Sequence, residues 1–160
     1  LDEIVGRPCI RLVEWVEPHL ETRGVDPRSQ YVECYWLPIL GPSTTWLLRF
    51  FAWQLERAPG GADLVLADVA RHVGLGDRIG RHAPFFRTVG RAVDFSMVHV
   101  MTPGVIAARL KLPLLSARHL ARLPESLRLS HAHFSRTTGL TDSNLTTASN
   151  GMAINQDARL

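Results

Sequence analysis

The chain has 160 residues, of which 46% are hydrophobic and 21% are charged, and its formal net charge is +3. This length and composition predict about one domain with its own core, which argues against a disordered chain, a coiled-coil rod and a collagen-like protein. The longest uncharged apolar stretches, residues 34–48 and 95–108, contain proline and are shorter than the roughly 20 residues of a spanning helix, so we expect no membrane partner.

The charged residues are distributed unevenly along the chain. Residues 1–34 contain seven acidic and four basic residues, whereas residues 35–128 contain six acidic and twelve basic ones. All of the basic residues except Lys111 are arginines. A positive central region favours an acidic partner, and nucleic acid is the main class of such partners.

The cysteines and the start of the sequence indicate a cellular location. Cys9 and Cys34 carry little information at their spacing, and we interpret them as two buried thiols in a reducing compartment. The sequence does not open on a basic-then-apolar leader. We therefore expect a cytoplasmic protein.

The opening segment is predicted to be helical. Apolar residues at helical spacing predict an amphipathic helix over residues 8–20, and Pro8 suits its first turn. Gly24 and Pro27 then predict a linker. Residues 1–34 are therefore expected to form an N-terminal helical extension.

Three helices are predicted in the middle of the chain. The strongest covers residues 43–58, where an apolar stripe recurs at helical spacing. A short helix follows over the segment DLVLADVARHV and ends at Gly74. A third helix begins near Pro84, because proline is tolerated in a first turn.

The helix that begins near Pro84 has two distinct faces. One face carries an apolar stripe and is expected to pack in the core. The other face follows the spacing i, i+3, i+4, i+7 from Pro84 and carries Arg87, Thr88 and Arg91.

The next segment changes to a period of two, which predicts strands over residues 96–101 and 105–112. A Pro-Gly pair between them fits a type II turn. On the second strand apolar residues alternate with Arg109 and Lys111. This alternation predicts a hairpin with one face on a core and a free basic face.

The last part of the chain divides into two predicted regions. Residues 114–134 predict C-terminal helices, the first capped by Ser116 and the second opened by Pro124. Residues 135–160 are rich in Ser, Thr and Asn and show little periodicity. We expect them to form a loosely ordered polar tail.

The order of the elements over residues 43–113 resembles a winged helix-turn-helix domain. The segments that carry the resemblance are LADVARHVGLG, PFFRTVGRAVDF and MVHVMTPGVIAARLKL. The preceding YWLPILGPSTTWLLRFF is similar to the lead-in of winged-helix replication-initiation proteins. The turn GLGDRIGRHAP departs from the family's pattern, since the tight form has three or four residues.

The resemblance implies a mainly α fold, a winged helix-turn-helix with a three-helix core and a β-hairpin wing over residues 35–113 and with additional N- and C-terminal helices. It implies that the third helix enters the major groove of DNA and that the wing reaches the flanking backbone. Arginine suits both roles, because its planar guanidinium donates two hydrogen bonds at once. The residues that the resemblance places at DNA are Arg78, Arg81 and His82 before the third helix, Arg87, Thr88 and Arg91 on it, and Arg109 and Lys111 on the wing.

The leading hypothesis is a sequence-specific DNA-binding protein, a transcriptional regulator whose partner is double-stranded DNA and which needs no cofactor. The alternative is a winged-helix protein-interaction module in a replication or phage-type assembly. Trp46 and Trp53 are interpreted as core or interface residues, and the aromatic residues between positions 35 and 53 are consistent with a homodimer contact.

The sequence contains no motif that recommends an enzyme or a metal site. The glycines of GLGDRIG miss the dinucleotide-binding fingerprint by one residue and follow a helix rather than a strand. The seven histidines are not accompanied by cysteines or carboxylates at zinc-ligand spacing. We therefore expect no catalytic residues and no metal ligands.

Overall fold

The computed structural model describes residues 1–78 and 80–138. Within these residues the protein is mixed α/β, with seven α-helices, one π-helical segment and a four-stranded sheet. The chain divides into two compact units, Leu1–Leu123 and a second that begins at Pro124. The predicted polar tail lies outside the described residues from position 139 onwards.

The sheet is built from four short strands that are far apart in the sequence. They occur in the order β2-β1-β4-β3, so that β1 and β4 are the inner strands. β1 pairs with β2 antiparallel and with β4 parallel, and β3 and β4 form an antiparallel hairpin. Their bounds are Cys9–Glu14 for β1, Ala62–Val65 for β2, Val98–Thr102 for β3 and Val105–Ala108 for β4.

The predicted helix over residues 8–20 is wrong, because residues 9–14 form β1 and only residues 18–20 are helical, as the start of α1. Ile10 and Leu12 are buried while Arg11 between them is exposed, which is the alternation of a strand. Val16, one of the apolar residues at helical spacing in this segment, is 61% exposed. The predicted N-terminal extension is therefore part of the first unit and supplies one of its inner strands.

The three helices of the middle region are present as periodicity predicted, except that residues 63–65 of the predicted short helix belong to β2 and its helix begins only at Leu66. The long helix and the arginine-bearing helix both begin at a proline and bury one apolar stripe each. The helical bounds are Pro18–Arg23 for α1, Val32–Trp36 for the π-helical segment, Leu37–Leu40 for α2, Pro42–Arg57 for α3, Leu66–His72 for α4, Pro84–Asp94 for α5, Ala117–Leu120 for α6 and Glu125–Thr137 for α7.

The π-helical segment and Tyr31, the residue before it, hold the chain that follows the sheet. Trp36 Nε1 donates a hydrogen bond to the Pro113 carbonyl at 2.8 Å, and the Leu115 amide donates to the Tyr31 hydroxyl at 2.9 Å. Burial raises the pKa of Tyr31 to about 12. These two contacts fix residues 113–115 against the core.

The cysteines differ from the prediction in one respect. Cys34 is half-buried and Cys9, at the start of β1, is exposed, and both are free thiols. The interpretation of two buried thiols is therefore wrong for Cys9, because its side chain lies on the solvent side of the alternating strand.

Candidate nucleic-acid interface

The exposed face of α5 carries an arginine that is accessible to a ligand. Pro84 sets the first turn of the helix, and the apolar stripe behind it is buried. Arg87 is exposed, and among the described residues it makes no hydrogen bond or ion pair. Its guanidinium therefore keeps all of its donors for a partner.

Arg91, one turn further along α5, is exposed but anchored. Its guanidinium donates a hydrogen bond to the carbonyl of Ile39 near the end of α2. It also lies over the ring of Phe95, 5.4 Å from the centroid. Arg91 therefore keeps its charge at the surface of α5 but gives part of its hydrogen-bonding capacity to the fold.

Thr88 does not belong to the exposed face, and the prediction that it faces a DNA groove is wrong. Its side chain is buried, with 7% of the residue exposed. The hydroxyl donates to the Pro84 carbonyl at 2.9 Å, the usual back-bond of a threonine within a helix. The residue still forms part of the lining of a groove beside α5, but its hydroxyl proton is already used within the helix.

The predicted basic face of the hairpin is also wrong. Strand β4 ends at Ala108, before Arg109 and Lys111, and its last three residues are all buried. The Arg109 side chain is 10% exposed and bonds to the carboxylate of Glu17. Its Nε donates to the Ser96 carbonyl at 2.7 Å.

Two further contacts bury part of the segment that contains Arg109 and Lys111. The Arg109 guanidinium lies 4.0 Å from the ring centroid of Trp15. Lys111 is half-buried, and the backbone crosses close to it at Gly24, where an added Cβ would lie 2.6 Å from the Lys111 Cβ. Arg109 thus holds the chain at the end of β4, and Lys111 lies half-buried beside Gly24 rather than on an exposed wing.

The turn of the hairpin is bound to the start of the chain. The Gly104 amide donates to the Glu3 carbonyl at 3.3 Å, and the Gly104 carbonyl accepts from the Arg11 amide at 2.8 Å. Gly104 has φ +81°, which suits glycine in the predicted turn. The hairpin therefore has a fixed tip and does not project freely.

A groove of about 760 Å³ runs between α5 and the first turn of α3. Arg81, Arg87 and Arg91 line it, whereas Arg109 does not. Arg81 forms an ion pair with Asp2 at 2.6 Å, but both side chains are exposed, so this pair contributes little. Arg78 and His82, in the long turn before α5, are exposed.

Two parts of this groove were missed by the sequence analysis. Ser43 and Thr44, in the first turn of α3, form one wall. Leu1 contacts the opposite helix, since a Cβ at Gly90 would lie 2.9 Å from Leu1 Cδ1. The sequence indicated where α3 begins, but it held no signal that this end lies beside α5.

A second groove, of about 660 Å³, is lined by aromatic rings of α3 and the end of α4. Trp46 and Trp53 are 59% and 41% exposed, so the interpretation of these residues as core residues is wrong. Their interpretation as interface residues stays a prediction. The ring of Phe50, between them on α3, lies 4.6 Å from that of His72, centroid to centroid.

The arginines of this aromatic groove are already paired. Arg28 bonds to the carboxylates of Asp26 and Glu56, and Arg49 bonds to that of Glu33. The hydrogen bonds from Arg28 lower the pKa of Asp26 and of Glu56. The aromatic groove is therefore apolar and nearly neutral, unlike the basic groove beside α5.

Comparisons with protein-family models, with curated proteins and with solved structures found no match. In residues 1–78 and 80–138, no helix combines the length and the apolar character needed to cross a bilayer. The same residues contain no cluster of three histidine, cysteine or carboxylate side chains arranged to hold a metal ion.

Proposed function

We propose that the protein binds double-stranded DNA through a winged helix-turn-helix and acts as a transcriptional regulator. In this proposal α3, α4 and α5 are the three helices, and β3 and β4 form the hairpin that follows the third. The order of these elements along the chain supports the proposal, because it is the order on which the resemblance rests. The insertion of β1 between β2 and β4 is a departure from a sheet formed by the hairpin alone.

The observation that carries the proposal is the exposed Arg87 on α5, which has no partner within residues 1–78 and 80–138 and shares a groove with Arg81 and Arg91. α5 enters the major groove, where Arg87 lies within reach of the base edges and of the phosphates that border the groove. The arginines of the preceding turn, Arg78 and Arg81, contact phosphates on the flank, and His82 lies beside them.

The proposed contact with DNA differs from the one predicted from the sequence, because the hairpin β3–β4 offers no unpaired arginine or lysine side chain. Arg109 is bound to Glu17, and the Gly104 turn is held by Glu3. DNA is therefore contacted from α5 and the turn before it, and about four arginines remain to neutralise phosphates.

Salt dependence of DNA binding tests this proposal. If about three to four phosphates are neutralised, the logarithm of the binding constant should fall with the logarithm of the salt concentration with a slope of roughly −3 to −4. Fluorescence anisotropy with a labelled duplex between 50 and 200 mM salt measures this slope. Binding that does not respond to salt, or an absence of binding at 50 mM, would overturn the proposal.

A second candidate function is a protein-interaction module within a larger assembly, and the aromatic groove favours it. Tryptophans that stay exposed on one helix are frequent energetic centres of protein interfaces. A stoichiometric protein partner that survives nuclease treatment and is lost in the W46A/W53A double variant would favour this function. The same variant should leave the salt slope of DNA binding unchanged.

A further inference from the structure

The first turn of α3 presents backbone donors that the fold leaves open. Gly41, the residue before the helix, has no side chain to cap it, and Pro42 has no N–H. The amides of Ser43 and Thr44 lie within the first turn, where an α-helix supplies no acceptor. The first amide bonded in helical fashion is that of Thr45, which donates to the Gly41 carbonyl at 3.1 Å.

Thr44 adds a hydroxyl that has no partner in the described part of the chain and that keeps some access to solvent. The residue is 2% exposed and forms part of the wall of the basic groove, so what remains accessible of it opens onto that groove. The neighbouring Thr45 is buried to the same extent, but its hydroxyl bonds to the Gly41 carbonyl at 3.0 Å. The Thr44 hydroxyl therefore keeps its donor for a ligand in the groove.

The charges around this turn favour an anion. Arg87 and Arg91 lie in the same groove, and the bond from Arg91 to the Ile39 carbonyl holds its charge two residues before Gly41. α3 has 16 residues, so its dipole adds positive potential at this end. The groove also contains two carboxylates. Asp2 is paired with Arg81, and Asp94 alone does not balance the two positive charges of Arg87 and Arg91.

We propose that the first turn of α3, Thr44 and Arg87 together bind a phosphate group. The amides of Ser43 and Thr44 and the Thr44 hydroxyl donate to its oxygens, and the Arg87 guanidinium neutralises its charge. The phosphate belongs either to the DNA backbone, in which case the subsite rests on the proposed function, or to a phosphomonoester ligand. Both sources share this chemistry, and only the first requires DNA.

The subsite is tested with inorganic phosphate on the full chain at constant ionic strength, observed through the amide resonances of Ser43 and Thr44. We expect these resonances to shift and to saturate in the millimolar range. The T44V variant should weaken this binding about five- to tenfold, because it removes one hydrogen-bond donor at nearly constant volume. The matched T45V variant, whose hydroxyl serves the backbone, should leave the affinity for phosphate unchanged.

A second arm identifies the source of the phosphate. If a duplex displaces inorganic phosphate and T44V weakens duplex binding, the source is the DNA backbone. If phosphate binds at Ser43 and Thr44 but the chain binds no duplex, the subsite stands, the ligand is a phosphomonoester, and the proposed DNA function fails. If the chain binds DNA equally well in T44V and T45V and phosphate shifts neither amide, the subsite is overturned while DNA binding stands.

Discussion

Replacing Arg87 with glutamate is expected to weaken DNA binding by roughly 10- to 100-fold at 0.1 M salt. Arg87 is exposed and free of partners among the described residues, so the substitution removes a cation from the groove without breaking a structural contact. It also places a carboxylate beside DNA phosphates, which adds repulsion. The affinity for a duplex, measured by fluorescence anisotropy, gives the size of the effect, and the salt slope should become shallower by about one to two.

R57E is the matched control for this prediction. Arg57 is also exposed, lies at the opposite end of α3 and rests over the ring of Trp53, outside the basic groove. The change in net charge is the same in both variants, so a general electrostatic effect would weaken binding equally. Equal losses in R87E and R57E would contradict the role given to Arg87, whereas a loss confined to R87E supports it.

Replacing Arg109 with alanine is expected to lower the free energy of unfolding by about 2–3 kcal/mol and to leave DNA affinity unchanged. The side chain is nearly buried and joins Glu17, the Ser96 carbonyl and the ring of Trp15. Its removal leaves Glu17 without its partner and opens a gap over the indole. Urea denaturation followed by circular dichroism measures the loss of stability.

R118A is the control for the Arg109 prediction. Arg118 is exposed on α6, and substitutions at such positions change stability by about 0.5 kcal/mol or less. Folded R109A protein, held at a temperature well below its unfolding transition, should bind DNA as the unsubstituted chain does. A loss of affinity in folded R109A, with stability unaffected, would restore the wing role that the sequence suggested.

The long helices of this fold could be predicted because their signals are local. Proline at the first turn and apolar residues at helical spacing define α3 and α5, whatever they pack against. β1 could not be predicted in the same way. The apolar residues of β1, together with Val16 just beyond it, also fit the spacing of a helix. Only the pairing of this segment with β2 and β4 makes it a strand.

In the candidate site, too, features set by local spacing could be predicted, whereas features set by distant contacts could not. Arg87 follows from the spacing on α5, and the structure leaves it exposed. Thr88 has equally suitable spacing, but the fold buries it and its hydroxyl bonds to the Pro84 carbonyl, which the spacing alone does not indicate. The partner of Arg109 is Glu17, 92 residues away in the sequence, so its contact depends on how β1 and β4 are brought together.

The inner position of β1 also affects how a nascent chain reaches its native state. Arg11 and Leu12 pair with Val105 and Ile106, and these partners leave the ribosome about 90 residues later. Until then one edge of β1 has no neighbour, and contacts between such distant segments make folding slow. A chain interrupted before the hairpin is synthesised would expose this edge to other unfinished chains, so truncated products should be prone to aggregate.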